Sequence, residues 1–186
     1  MLPDSLHGPA KTIGFESPDA FLRANRATYP DLDPDFIIQI CFEHPDRFNE
    51  YFPGFDPACH CAQRIEKTIG WVYDSVRYDG NEAVDFWSGQ FDFFRESNQQ
   101  SYAVFAHMMR HRTWPFPPVI IEADFAASLG AAIERLGKPY HLIEGTHRVS
   151  YARRMLELAL LTRECRVEII EVMPWSPLQQ TGCKRL

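Results

Sequence analysis

Two kinds of apolar segment are missing from the sequence. No apolar run approaches the length of a membrane span. The first fifteen residues, which contain Pro3, Asp4, Pro9 and Lys11, lack the apolar region of a secretory signal. We therefore expect a cytoplasmic protein with no membrane partner.

Cysteine is scarce and unevenly spaced. The five cysteines are Cys41, Cys59, Cys61, Cys165 and Cys183. An odd number with irregular spacing, without a secretory signal, indicates reduced thiols rather than a disulfide framework. Cys41-x-x-His44 and Cys59-His60-Cys61 together offer enough soft ligands for zinc. Because paired C-x-x-C knuckles are absent and Cys41 lies on an apolar helical stripe, we expect no zinc site.

The chain also lacks an excess of basic residues. Lys and Arg number 19 against 25 Asp and Glu, which gives a formal net charge of −6. General binding of duplex DNA relies on a basic surface, so we expect no duplex-DNA partner. One local cluster consists of His107, Arg110, His111 and Arg112, at the end of a predicted helix. Cations suit a helix C-terminus, although this cluster could also close over a phosphate pocket.

The first 116 residues predict a helical lobe. Ser17-Pro18 is typical of a helix start, and apolar residues recur at helical spacing in 35–43, 61–76, 82–96 and 99–112. The chain contains fourteen Phe and four Trp. Within this acidic lobe the aromatic residues indicate a packed core rather than a platform for stacking bases.

Residues 117–174 predict a compact α/β core. Strands are expected at 119–121, 140–143 and 165–172, with one helix from Asp124, as its cap, to Leu136 and another from Arg148 to about Thr162. The tail, 175–186, lacks clear periodicity. The predicted fold is therefore α+β, a helical lobe packed on a small mixed sheet of three or four strands.

The sequence Glu144-Gly145-Thr146-His147-Arg148 joins the second of these strands to the second helix. Two cationic side chains in the first turn of a helix oppose the helix dipole, which prefers negative charge there. A phosphate held by the free N–H groups of the same turn would resolve this conflict. This segment is the one place where the sequence points toward chemistry.

Each residue of the turn has a role in that interpretation. Gly145 lets the backbone approach a ligand closely, and Thr146 is expected to cap the helix. Arg148 can form two charge-assisted bonds to phosphate oxygens. Glu144 could hold a divalent cation or accept a proton, and His147 could donate to a phosphate oxygen or act as an acid or base. Glu122 and Asp124 are further candidates for metal ligands or general bases beside Glu144.

The segment from Tyr140 to Ala152 resembles the signature box of the ParB/sulfiredoxin-like superfamily. That box consists of an apolar strand, an acidic residue, glycine, any residue, a basic residue or histidine, arginine, and a helix with a small residue four positions on. The matching residues are Glu144, Gly145, His147, Arg148 and Ala152. The resemblance covers about a third of the chain.

The resemblance implies a nucleoside triphosphate or related phosphate ligand, with Mg²⁺. It assigns Gly145, Thr146, His147 and Arg148 to the ligand, Glu144 to the metal, and Glu144 and His147 to any catalytic step. A site with these residues would suit nucleotide hydrolysis, phosphoryl transfer or a nucleotide-gated switch. Thr146 stands where sulfiredoxins have their catalytic cysteine, so sulfinic acid reductase activity is not expected.

Other interpretations stay open at this point. Arg148 could form an ion pair with Glu144 or Glu122, and the positive charge at the helix start would then be neutralised within the protein, without a ligand. The chain would then be a non-catalytic interaction or regulatory protein that keeps the fold and binds a protein partner through the helical lobe. A ParB-like nuclease is a further alternative, disfavoured by the acidity of the chain.

Overall fold

The computed structural model describes residues 1–8, 17–78, 81–97, 102–134 and 136–175. Within them lie eight α-helices and five strands. The helices are α1 (Pro18–Arg26), α2 (Pro34–Phe36), α3 (Pro45–Tyr51), α4 (Ile69–Ser75), α5 (Asn81–Glu96), α6 (Ala103–His111), α7 (Ala123–Ser128) and α8 (Thr146–Glu157). The strands are β1 (His60–Thr68), β2 (Val76–Arg77), β3 (Val119–Glu122), β4 (Tyr140–Glu144) and β5 (Arg166–Pro174). The predicted α+β class is confirmed.

The five strands form one mixed sheet in the order β1-β5-β3-β4-β2. The pairs β1–β5 and β3–β4 are antiparallel, whereas β3–β5 and β2–β4 are parallel. Neighbouring residues of β3 contribute to different cores, Val119 and Ile121 to one and Ile120 to the other. Because side chains alternate across a strand, the sheet is buried on both faces. One face packs on residues of α1–α3 and α7, and the other on residues of α4–α6 and α8.

The prediction of a helix over 61–76 is wrong for its first half. Residues 60–68 form β1, which pairs with β5 over nine residues, and the helix α4 begins only at Ile69. Thr68 caps α4, its Oγ1 accepting a hydrogen bond from the N–H of Trp71 at 3.1 Å. Long-range pairing has overridden the local helical spacing. With β1 and β2 the sheet has five strands rather than three or four, two of them from the first 116 residues.

The helix predicted over 124–136 is also shorter than expected. Its structural counterpart α7 ends at Ser128, where Gly130 takes a positive φ of 73°. The N–H groups of Gly130 and Ala131 donate to the carbonyls of Ala127 and Ala126, which closes the helix end. Asp124 is not the cap, because Glu122 occupies the N-cap position.

Several other sequence predictions are confirmed. Ser17 caps α1, with Pro18 as its first residue, and α5, α6 and strands β3–β5 form near the expected positions. The segment 35–43 is helical, although a π-helical turn (Ile37–Phe42) follows α2. Residues 99–101 of one predicted helix, and the tail beyond Trp175, lie outside the described residues. No helix in the described ranges is long and apolar enough to cross a membrane.

Candidate functional site

Gly145 begins helix α8 in a conformation that favours glycine. Its φ is 108°, and its carbonyl accepts the first helical hydrogen bond, from the N–H of Val149 at 3.0 Å. Gly145 is therefore the N-cap and Thr146 the first helical residue, which makes the predicted capping role of Thr146 wrong. No side chain caps this helix end.

The surroundings of Gly145 leave no space for a side chain. A Cβ at this position would lie 2.7 Å from the Cβ of Pro118 and 3.1 Å from Nε and Nη2 of Arg148. The guanidinium of Arg148 thus packs directly against the backbone of the turn. Glycine is required here both for its φ and for this close approach.

Arg148 is bound inside the protein. Its side chain is buried, with 8% of the residue exposed. Nη1 donates to Oε1 of Gln39 at 2.6 Å and to the carbonyl of Phe116 at 3.0 Å, while Nη2 donates to Oε1 of Glu144 at 3.3 Å. Burial lowers the pKa of Arg148, although Glu144 opposes this shift. Of the two ion-pair partners considered from the sequence, Glu144 is the one found.

Glu144 places a carboxylate at the start of α8. Its Oε1 accepts a second hydrogen bond, from the N–H of Gly145 at 2.9 Å, and its Oε2 lies 4.0 Å from Nε2 of His44. Three further N–H groups of the first turn, those of Thr146, His147 and Arg148, have no acceptor among the described residues. The turn therefore keeps donors available even though one anion already faces it.

His147 lies among aromatic side chains. Its ring centroid is 3.6 Å from that of Trp87, and its Nδ1 is 3.2 Å from the hydroxyl of Tyr102. Nε2 is buried and has no hydrogen-bond partner within the described part of the chain. Burial lowers the pKa of His147, Glu144 raises it and Arg148 lowers it further. The net shift is downward, which favours the neutral imidazole.

An open cleft of about 270 Å³ lies over this turn. Its wall includes Gln39, Glu43, Phe116, Glu144, His147 and Arg148. Glu43 stands at the rim, and its partial burial raises its pKa; Glu144 adds to the rise, while His44 and Arg148 oppose it. Three carboxylates, those of Asp35, Glu43 and Glu144, thus line the cleft, and Asp35 is paired with Arg64 at 2.7 Å.

Sequence reasoning missed the contributions of Gln39, Glu43 and Phe116 to this site. Gln39 did carry a signal, since it is a polar residue within the apolar segment 36–42 and is buried in the fold. The carbonyl of Phe116 and the carboxylate of Glu43 carry no such signal. Their positions depend on how distant segments pack together.

Glu122 and Asp124 do not join the site. Because β3 and β4 are antiparallel, Val119 pairs with Glu144 while Glu122 pairs with Tyr140, at the other end of both strands. Neither Glu122 nor Asp124 lines the cleft. The interpretation of these two residues as metal ligands or bases beside Glu144 is therefore wrong.

The remaining candidate clusters lie elsewhere. Cys41 is buried in the core, and burial raises the pKa of its thiol. No group of three or more His, Cys, Asp or Glu that could hold a metal ion occurs among the described residues. The basic cluster at the end of α6, where the rings of His107 and His111 are 4.5 Å apart, does not line the cleft.

A larger cavity lacks the chemistry of a phosphate site. It has a volume of about 570 Å³ and lies between Tyr29, Asp31, Asp56 and Trp175. Its described wall contains no cationic side chain. The smaller cleft at α8 is therefore the better candidate for an anionic ligand.

Comparisons with protein-family models, with curated proteins and with solved structures find no match to this chain. The resemblance to the ParB/sulfiredoxin-like superfamily thus depends on Glu144, Gly145, His147, Arg148 and Ala152 and stays a prediction. Nucleotide binding, the Mg²⁺ ion and the catalytic roles of Glu144 and His147 likewise stay predictions.

Proposed function

We propose that the chain binds a nucleoside triphosphate, or a related phosphate ligand, together with Mg²⁺ in the cleft at the start of α8. One observation carries the proposal. The N–H groups of Thr146, His147 and Arg148 have no acceptor among the described residues, and they lie beside the carboxylates of Glu43 and Glu144. Free amides suit phosphate oxygens, and carboxylates suit the accompanying cation.

The phosphate group would be held mainly by backbone. Three consecutive N–H groups at a helix start, with the positive end of the helix dipole, form an anion site that needs no side chain. The side chain of Thr146 does not line the cleft, so its hydroxyl has no part in the proposed binding. Arg148 contributes chiefly by fixing the turn, since its Nη1 is already bound to Gln39 and Phe116.

The carboxylates of Glu43 and Glu144 are the reason why the proposal includes a metal ion. Glu43 and Glu144 would repel a bare phosphate, so the ligand must enter as a complex with a cation. Mg²⁺ characteristically binds through one or two carboxylates plus phosphate oxygens and water. No group of three or more metal-ligating side chains occurs in the described ranges, so the ligand itself would have to supply the remaining oxygens.

A reaction at this cleft would be nucleotide hydrolysis or phosphoryl transfer. Bound Mg²⁺ neutralises charge that develops on the phosphate oxygens. The Tyr102 hydroxyl beside Nδ1 orients the ring of His147, and because Nε2 is buried, a proton transfer by this imidazole would require a side-chain movement that uncovers Nε2. The carboxylate of Glu144 holds the turn through its Oε1 and leaves Oε2 for the metal or a proton.

Thermal unfolding with a panel of nucleoside triphosphates, with and without Mg²⁺, tests the proposal. At least one triphosphate should raise the melting temperature when Mg²⁺ is present. At about 100 times its dissociation constant it should add about 2.7 kcal/mol to the free energy of unfolding. Glu43→Gln should weaken this response, because it removes a carboxylate for which no ion pair or hydrogen bond is described.

Glu50→Gln is the matched control, an exposed glutamate of α3 outside the cleft. Its response to ligand should equal that of the wild type. A wild-type protein whose melting is unchanged by every triphosphate with Mg²⁺ would contradict the proposal. Equal loss of response in the two variants would show that Glu43 has no special part.

A second candidate function is a non-catalytic interaction or regulatory protein. The internal hydrogen bonds of Arg148 favour it, because they give the arginine of the Gly-x-His-Arg sequence a structural role that needs no ligand. The helix α5 also leaves Phe86 58% and Phe93 52% exposed, seven residues apart. Binding of nucleotide without any turnover, measured as phosphate release, would distinguish this candidate from an enzyme.

A further inference from the structure

A second polar cavity lies along α8, away from its N-terminus. It has a volume of about 410 Å³ and is lined by Tyr73, Arg77, Val84, Asp85, Ser88, Arg153 and Glu157. These residues belong to α4, β2, α5 and the second half of α8. The cavity shares no lining residue with the cleft at Gly145.

Two arginines face this cavity without an ion-pair partner among the described residues. Nη1 of Arg77 donates to the carbonyls of Tyr73 at 2.9 Å and Val76 at 3.0 Å, which anchors the side chain. Arg153 stacks over the ring of Tyr73, with its Cζ 5.2 Å from the ring centroid. Its Nε is buried and has no hydrogen-bond partner in the described part of the chain. A buried donor without an acceptor is costly, so the Arg153 guanidinium is not fully satisfied within the described protein.

Two carboxylates, those of Asp85 and Glu157, lie beside the two arginines in the described wall of the cavity. Glu157 already accepts a hydrogen bond from Arg154 at 2.9 Å, and Asp74 is paired with Arg163. Asp85 is then the one carboxylate of the described cavity wall that is not engaged elsewhere. Burial lowers the pKa of Arg153 and the charge of Arg77 lowers it further, whereas Tyr73, Asp85 and Glu157 raise it. The two guanidinium groups therefore repel each other, and neither forms an ion pair with a carboxylate of the described wall.

We propose that this cavity binds a small hydroxylated phosphomonoester, with its phosphate group on Arg77 and Arg153. Guanidinium groups match phosphate oxygens in charge and geometry. A phosphate alone would fill only part of about 410 Å³. Asp85 and Glu157 offer acceptors for hydroxyl groups, and Ser88 offers its oxygen, because its proton is donated to the carbonyl of Val84. The proposed ligand needs no metal ion, in contrast to the ligand proposed for α8.

Calorimetric titration in the presence of EDTA tests the inference with three probes. Ribose 5-phosphate should bind, inorganic phosphate should bind more weakly, and ribose should not bind. Arg153→Gln should weaken ribose 5-phosphate at least about tenfold, through the loss of a charge-assisted hydrogen bond. Arg166→Gln is the control, since it removes an exposed arginine that pairs with Glu66 outside the cavity.

Asp85→Asn keeps the test decisive if Arg153→Gln does not fold. Asp85 is exposed, so its replacement leaves the core intact, and removal of its negative charge should tighten inorganic phosphate several-fold. Absence of binding by both phosphates in EDTA overturns the inference, as does unchanged phosphate affinity in Asp85→Asn. Glu43→Gln should leave this binding unchanged, so failure here and failure at the α8 cleft are distinguishable.

Discussion

Replacing Arg148 by alanine should destabilise the fold strongly. The substitution removes the donor that reaches Oε1 of Gln39, the carbonyl of Phe116 and the carboxylate of Glu144. These contacts join α8 to the π-helical turn and to the segment before β3. Loss of Arg148 therefore affects three parts of the chain at once.

The magnitude follows from what is left without a partner. Gln39 is buried, and the amide and carbonyl oxygens that lose their donor cost about 1–3 kcal/mol each. Glu144 adds little, because its side chain is 27% exposed and still accepts from the N–H of Gly145. The total is about 3–5 kcal/mol, a large part of the ~5–15 kcal/mol typical of a folded domain.

Urea unfolding followed by circular dichroism measures this loss. Arg154→Ala on the same helix is the matched control, because Arg154 also forms two carboxylate contacts, to Asp92 and Glu157 at 2.9 Å each. Arg154 is 30% exposed, so its loss should cost at most about 1 kcal/mol. Arg148→Lys should lie between the two, since an ammonium cannot reproduce the planar arrangement of donors.

A loss of stability in Arg148→Ala no larger than that in Arg154→Ala would contradict this expectation. That result would mean that the buried contacts of Arg148 contribute as little as an exposed ion pair. Arg148 would then be free for a ligand, and the proposal that it chiefly fixes the turn would be wrong.

Two other predictions concern the same helix start. Gly145→Ala should lower the free energy of unfolding by at least about 1–2 kcal/mol, because Gly145 has a φ of 108° and an added Cβ would lie close to Pro118. Gly89→Ala is the control. Gly89 lies in open space on α5, so this substitution should raise the free energy of unfolding by about 0.5–1 kcal/mol. Equal effects in thermal melts would contradict this. The pKa of His147 in the folded protein lies below its unfolded value of 6.5, so the unfolded state binds the proton more readily and stability should fall as the pH drops through that value. In urea titrations from about pH 7.5 to 5.5, His147→Gln should flatten this fall, and an unchanged slope would assign it to other groups.

Local signals were sufficient for part of the fold. Ser17-Pro18 predicts the start of α1, and the prolines before Val119 predict the change to extended structure at β3. Each of these signals acts through the residues beside it. Such features can be derived from the sequence because no distant partner is needed to produce them.

Strand β1 shows where local reasoning fails. Ile65, Ile69 and Val72 have helical spacing, but Ile65 pairs with Ile169 of β5, more than one hundred residues later. The partner strand decides the conformation, and a local pattern contains no information about it. The first half of the predicted helix became a strand for this reason.

Part of the candidate site could likewise be predicted from local sequence, and part of it depends on distant residues. The order Glu144-Gly145-Thr146-His147-Arg148 located the strand-to-helix turn, and the ion pair between Glu144 and Arg148 was one of the alternatives that it allowed. The role of Gln39 could not be derived, because it approaches Arg148 from 109 residues away. The cavity around Arg77 and Arg153 carries no sequence motif at all.

The most direct test of the proposed phosphate site is a ¹H–¹⁵N NMR titration of the wild-type protein with Mg²⁺ and the triphosphate that gives the largest thermal shift. The backbone amide signals of Thr146, His147 and Arg148 should move with ligand and saturate, and EDTA should reverse the movement. Saturating ligand that leaves these three amides unmoved would contradict the proposal, wherever else on the protein the ligand binds.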